Sequence, residues 1–183
     1  MGFLSLMVAA LVACAGTTWA QAPKGGDQHN TLVLELKTGK VTIQLRPDLA
    51  PKHVARVKQL AKEGFYNGLQ FHRVIAGFMA QSGDPTGTGA GGSKYPDLPA
   101  EFSKEPFARG TIGAARTSDP NSANSQFFIT FADVAHLNGQ YTVWGKVIAG
   151  MEHVDKIKKG EAGSGRVAEP DTIVRAYLAA DAR

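Results

Sequence analysis

The chain has 183 residues, of which 43% are hydrophobic and 20% charged, with a formal net charge of +4. That length and apolar content suit one compact domain and exclude a chain disordered throughout. Lys and Arg are interleaved with Asp and Glu and no basic stripe carries stacking aromatics, which argues against nucleic acid as a partner.

Taken in chain order, the first segment stands apart. Phe3 to Ala15 is almost wholly apolar, and no Lys, Arg, Asp or Glu occurs before Lys24. The stretch is short for a bilayer span, and Thr18-Trp19-Ala20 offers small residues for cleavage before Gln21. Residues 1–20 therefore read as a signal peptide of an exported, periplasmic protein. Leu11-Val12-Ala13-Cys14 also fits a lipoprotein cleavage box, which would place a lipid anchor on Cys14. Cleavage at Ala20 would leave a mature chain with no membrane span and no cysteine, because Cys14 is the only one. Residues 21–30 read as a polar linker, and residues 31–180 as the folded domain.

Thr31 to Lys37 and Lys40 to Arg46 alternate apolar and polar side chains around Thr38-Gly39, which predicts a hairpin. Val54, Val57, Leu60 and Ala61 then change to helical spacing, with Pro51 suited to the first turn and Gly64 to the C-terminal cap. Leu69 to Ile75, Phe78 to Gln81, Thr111 to Ala115, Gln126 to Phe131, Val143 to Ile148 and Thr172 to Ala179 read as strands. A second helix is expected around Met151 to Lys159. Asp84 to Pro106 is longer than an ordinary connection and is predicted to be functional or mobile. Strands without βαβ units predict a mainly β fold closed into an antiparallel barrel.

Gly87 to Gly92 formally matches the glycine fingerprint of dinucleotide sites. Pro96 and Pro99 oppose the helix that would have to follow, so the segment reads as a flexible loop and no cofactor is expected. His29, His53, His72, His136 and His153 have no spacing suited to a shared metal. A secreted oxidoreductase reading fails on the single cysteine and on the false glycine fingerprint.

The segment Phe71-His72-Arg73-Val74-Ile75-Ala76-Gly77-Phe78-Met79-Ala80-Gln81-Ser82-Gly83-Asp84 resembles the cyclophilin family. The resemblance continues through Gly87-Thr88-Gly89, Glu101-Phe102, Arg109-Gly110-Thr111-Ile112, Asn121 to Ile129 and Leu137-Asn138-Gly139, and covers roughly residues 31–179. It implies an eight-stranded barrel capped by two α-helices, and a peptidyl-prolyl cis/trans isomerase acting on proline-containing, unfolded or flexible polypeptides during folding of exported proteins. A proline-peptide binding module or chaperone on the same barrel is the alternative. A monomer is expected.

By the same resemblance, Arg73, Phe78, Gln81 and Phe128 are the catalytic set. Met79, Ala115, Arg116, Thr117, Gln126, His136, Leu137 and Tyr141 would bind substrate. Phe78, Met79, Phe128 and Leu137 would receive the proline ring, Gln81 and Gln126 would bond the peptide backbone, and Ala115, Arg116 and Thr117 would form the adjoining wall. Period two independently predicts Phe71 and Arg73 on one strand face and His72 and Val74 on the other. His136 stands where cyclosporin-sensitive members carry tryptophan, which predicts weak cyclosporin binding with isomerase activity retained. Tyr141, Ala76 and Ser82 also depart from the common motif.

Overall fold

The computed structural model describes residues 27–182. The proposed signal segment, Cys14 and most of the linker lie outside them. Eight strands and two α-helices occur in the order β1 (Thr31–Leu36), β2 (Gly39–Leu45), α1 (Pro51–Lys62), β3 (Arg73–Ile75), β4 (Met79–Ser82), β5 (Thr111–Ala114), β6 (Phe127–Thr130), β7 (Val143–Ala149), α2 (Met151–Asp155) and β8 (Ile173–Leu178). No helix among the described residues is long and apolar enough to cross a membrane.

The predicted hairpin forms, with β1 and β2 antiparallel and Leu36 opposite Gly39. Alternation drives it: Leu32, Leu34, Val41, Ile43 and Leu45 are each at most 1% exposed. Burial of each such side chain contributes about 1.5–3 kcal/mol relative to exposure. In α1, Val54, Val57, Leu60 and Ala61 are buried, as helical spacing requires. Its end is a Schellman motif, because Gly64 takes a φ of +70°, its amide donates to the Ala61 carbonyl, and the Phe65 amide donates to that of Leu60.

All strands belong to one curled antiparallel sheet of order β3-β4-β6-β5-β7-β2-β1-β8. Full closure, expected from the sequence, is not observed, since β3 and β8 are not ladder partners. They approach only through the Gln70–Thr172 bridge and loop bonds such as Phe71 N–H to the Asp171 carbonyl, 2.9 Å. The strand predicted over Leu69 to Ile75 shortens for the same reason: pairing with β4 starts only at Arg73. Consequently Phe71 does not share a face with Arg73, and packs in the main core with Val74.

The second helix also ends sooner than expected. Beyond Asp155, the Lys158 amide donates to the Asp171 carboxylate and the Gly160 amide to the Val74 carbonyl, so tertiary acceptors replace helical ones. Lys159 donates to the carbonyls of Asp155 and Ile157, as a cation at a helix C-terminus should.

The long segment between β4 and β5 has no regular structure but is tied at several points. Ser93 N–H donates to Asn124 Oδ1 at 2.8 Å, and Leu98 N–H to the Ala123 carbonyl at 2.7 Å. Glu101 accepts from the amides of Lys52 and His53 at 3.1 and 3.0 Å. Its carboxylate thereby caps α1, whose own N-cap, Ala50, has no side chain able to do so.

Candidate active site

One row of residues crosses four adjacent strands. Register places Arg73 opposite Gln81, Gln81 opposite Phe128, and Phe128 opposite Gly113. Directly opposed residues present side chains to the same sheet face, and the intervening Val74, Ala80 and Phe127 enter the main core. Gly113 leaves room for its neighbours: a Cβ there would lie 2.4 Å from Phe128 Cζ and 2.7 Å from Phe107 Cε1. Phe107 stacks on Phe128 with ring centroids 5.5 Å apart, and Tyr141 meets Phe128 edge-on at 5.6 Å.

These rings belong to a second apolar cluster of Met79, Phe107, Phe128, Val134, Leu137 and Val143, against which Phe78, Ala115 and Tyr141 pack. A cavity of about 360 Å³ is lined by Arg73, Phe78, Met79, Gln81, Ala115, Arg116, Phe128, His136, Leu137 and Tyr141. Thus all the sequence-predicted site residues except Thr117 and Gln126 line one hollow. Those two line a neighbouring cavity of about 470 Å³, which shares Gln81, Ala115 and Arg116 with the first and includes the Gly89 to Gly92 loop. A larger hollow of about 530 Å³ between the end of α1 and β8 contains none of them.

A chain of hydrogen bonds fixes the polar rim. Gln126 Nε2 donates to the carbonyls of Gly89 and Gly91, at 2.9 and 2.8 Å. Its oxygen therefore faces Gln81 and accepts from Gln81 Nε2 at 2.9 Å. Gln81 in turn presents its oxygen to Arg73 Nη1, 3.4 Å away. Each amide orientation follows from the one before it, because an amide has its donor and acceptor on different atoms. Gln126, expected to hold peptide backbone, has its donors taken up inside the protein.

The loop that starts this chain is held by Asp84. Burial alone would raise its carboxyl pKa, but hydrogen bonds from the amide and hydroxyl of Thr86 and the amides of Gly91 and Gly89 outweigh burial and hold it down to about 2. A carboxylate ionised at neutral pH thus organises the glycine-rich segment, for which the sequence predicts a flexible loop.

Arg116 is a strut between two segments. Its guanidinium donates to the carbonyls of Thr117 and Gln140, at 2.9 and 2.8 Å, and lies 4.5 Å from the Tyr141 ring centre. Exposed His136 lies over Phe78 with ring centroids 5.6 Å apart. Buried Ser82 donates to the Gln70 carbonyl at 2.9 Å, tying β4 to the segment before β3.

Sequence reading missed Gly113, Phe107 and the backbone of Ser164, whose carbonyl accepts from Arg73 Nε at 3.1 Å. A strand glycine opposite Phe128 was a usable signal; the Ser164 contact spans 91 residues and had none. No group of three or more His, Cys, Asp or Glu among the described residues is arranged to hold a metal ion.

The comparisons with known proteins converge. The family model "Cyclophilin type peptidyl-prolyl cis-trans isomerase/CLD" matches residues 31–178. A probable peptidyl-prolyl cis-trans isomerase of Brucella suis is 55% identical, with 100% of both chains covered. A peptidyl-prolyl cis-trans isomerase of Helicobacter pylori is 43% identical over 70% of this chain and 80% of its own. Among solved structures, a Hirschia baltica cyclophilin has a TM-score of 0.77 at 26% identity, covering 86% of this chain and 76% of its own. A Cryptosporidium parvum cyclophilin-type isomerase, crystallised in the presence of the dipeptide Ala-Pro, has a TM-score of 0.74 at 29% identity, covering 81% and 98%. This chain belongs to the cyclophilin-type peptidyl-prolyl cis-trans isomerase family.

Proposed function

We propose that the chain catalyses cis/trans rotation about X-Pro bonds in flexible polypeptides, with Arg73 donating to the prolyl nitrogen. The observation that carries this reading is the row Arg73–Gln81–Phe128 bordering a cavity that Phe78, Met79, Phe128 and Leu137 also line. Proline is a compact apolar ring joined to a polar backbone, and the site sets apolar Phe78, Met79, Phe128 and Leu137 in the same hollow as the Arg73 donor and the Gln81 amide.

The uncatalysed barrier is about 18–20 kcal/mol because resonance shares the nitrogen lone pair with the carbonyl. As the bond twists, that lone pair localises and becomes an acceptor. A guanidinium hydrogen bond formed only then stabilises the twisted state selectively. One charge-assisted bond contributes about 1.5–3 kcal/mol, hence roughly one to two decades of rate. The rest falls to Phe78, Met79, Phe128 and Leu137, which seat the ring so that the bond can form. Gln81 aligns both Arg73 and the peptide, Gln126 orients Gln81, and Ala115, Arg116, Thr117, His136 and Tyr141 border the bound chain.

A protease-coupled assay on an Ala-Pro tetrapeptide tests the activity. Acceleration well above the uncatalysed rate supports it, and no acceleration at micromolar protein refutes it. We propose also, from residues 1–20, that the substrates are exported polypeptides. Mass spectrometry of the purified protein's N-terminus distinguishes cleavage before Gln21 from lipidation of Cys14, and an intact residue 1 contradicts both.

A further inference from the structure

We propose that the turn from Gly160 to Arg166 is the positioning element of Arg73, acting through the Ser164 carbonyl; the inference rests on the isomerase reading. Arg73 lies on an end strand of the sheet, so β4 supports it from one side only. The turn occupies the other side. Val74 N–H donates to the Gly165 carbonyl at 2.7 Å, and Gly160 N–H donates to the Val74 carbonyl at 2.9 Å. The turn is closed on itself by Gly165 N–H to Glu161 O, 2.8 Å, and Glu161 N–H to Arg166 O, 2.9 Å.

Its approach to the arginine stem is close enough to require glycine. Gly165 is buried and takes a φ of +71°. A Cβ there would lie 2.5 Å from Ile75 Cγ1 and 3.3 Å from Arg73 Cγ. A Cβ on Gly160 would lie 2.0 Å from the Gly165 carbonyl oxygen. The turn is thus moulded against β3, and this contact delivers the Ser164 carbonyl to Arg73 Nε at 3.1 Å.

A planar guanidinium is fixed in direction only when it is held at two points. Gln81 supplies one at Nη1 and Ser164 the other at Nε. Both contacts leave Nη2 without a protein acceptor among the described residues, so the two restraints aim the remaining donors. Lysine has no equivalent of Nε and could not be held in this way. Small misplacements of a catalytic donor cost rate out of proportion to their size.

The test is a double-mutant cycle with Gly165→Ala and Arg73→Ala, read as kcat/KM on an Ala-Pro tetrapeptide and as Kd for a non-cleaved proline peptide. Gly165→Ala alone is expected to lower kcat/KM about tenfold while changing Kd by less than about twofold. Added to Arg73→Ala, it is expected to cost less than about twofold further. An equal loss in both backgrounds overturns the proposal, as does unchanged kcat/KM in the single variant. Because Gly165→Ala can fail to fold, a second measurement uses the unaltered protein: hydrogen exchange of the Arg73 Nε–H. Exchange about tenfold slower than at exposed Arg175 is expected, and equal exchange overturns the proposal. An inactive unaltered protein refutes the isomerase reading instead, which separates the two failures.

Discussion

Gln81 accepts a hydrogen bond from Arg73 while donating one to Gln126, so the direction of the arginine depends on an amide two strands away. Gln126→Glu removes the donors that meet the Gly89 and Gly91 carbonyls and sets a carboxylate against them. The relay then loses its orientation at the first step. A fall of about tenfold in kcat/KM is expected, together with a lower melting temperature because two hydrogen bonds give way to repulsion, as measured by the coupled assay and thermal unfolding.

Gly113→Ala tests the aromatic floor. The added methyl collides with the stacked Phe107 and Phe128 rings, neither of which can withdraw from the packed cluster without displacing others. Overpacking of this kind costs about 1–3 kcal/mol. Chemical denaturation is expected to show that loss, and ring displacement to reduce kcat/KM. Unchanged stability and unchanged rate would contradict the packing described.

His136→Trp tests the cavity rim. The imidazole over Phe78 is smaller than an indole and is exposed to solvent. Cyclosporin affinity, measured by calorimetry or inhibition, is expected to rise at least about tenfold in the variant, while isomerase activity changes by less than about threefold.

Acid stability is expected to depend on His53 and Glu101, whose side chains are joined by a 2.6 Å contact. Burial lowers the His53 pKa, opposed by the Glu101 carboxylate and assisted by Arg56. For Glu101, burial raises the pKa, but the bonds from the His53 ring and the His53 and Lys52 amides outweigh it, and the net shift is downward. With both folded-state values depressed, unfolding takes up protons on acidification. Stability should fall as the pH drops below about 6.5, where unfolded histidine charges, and fall further below about 4.5, where unfolded glutamate protonates. Buried His72, also lowered by burial, contributes with the same sign to the upper limb. Glu101→Gln is expected to cost about 1–3 kcal/mol at neutral pH and to flatten the lower limb, in melting temperatures recorded between pH 4 and 7.5.

Much of this architecture was legible where apolar periodicity was long. β1, β2 and α1 follow from Leu32 to Leu45 and from Val54 to Ala61, because local alternation and burial agree there. Sheet closure was not legible, since it depends on whether the Leu69 to Ile75 run pairs continuously with β8, the other end strand. Backbone bonds to Asp171, far along the chain, decide that. The candidate site residues come from their place in a motif rather than from pattern, and a motif does not say where the Gln126 donors go. The position of Gln126 beside the groove was readable, but the carbonyls that take up its donors come from a loop whose shape is set by Asp84. Ser164 was invisible for a related reason: its backbone makes the contact, and no side-chain pattern records it.

Arg73→Ala tests the central claim most directly, provided that rate and binding are measured on the same protein. Arg73 is half-buried at the cavity wall, while the apolar floor belongs to the separate Phe128 cluster. The variant should therefore keep its affinity for a proline peptide within about threefold and lose about one to two decades of kcat/KM. Retention of full isomerase activity with Arg73 removed would contradict the account.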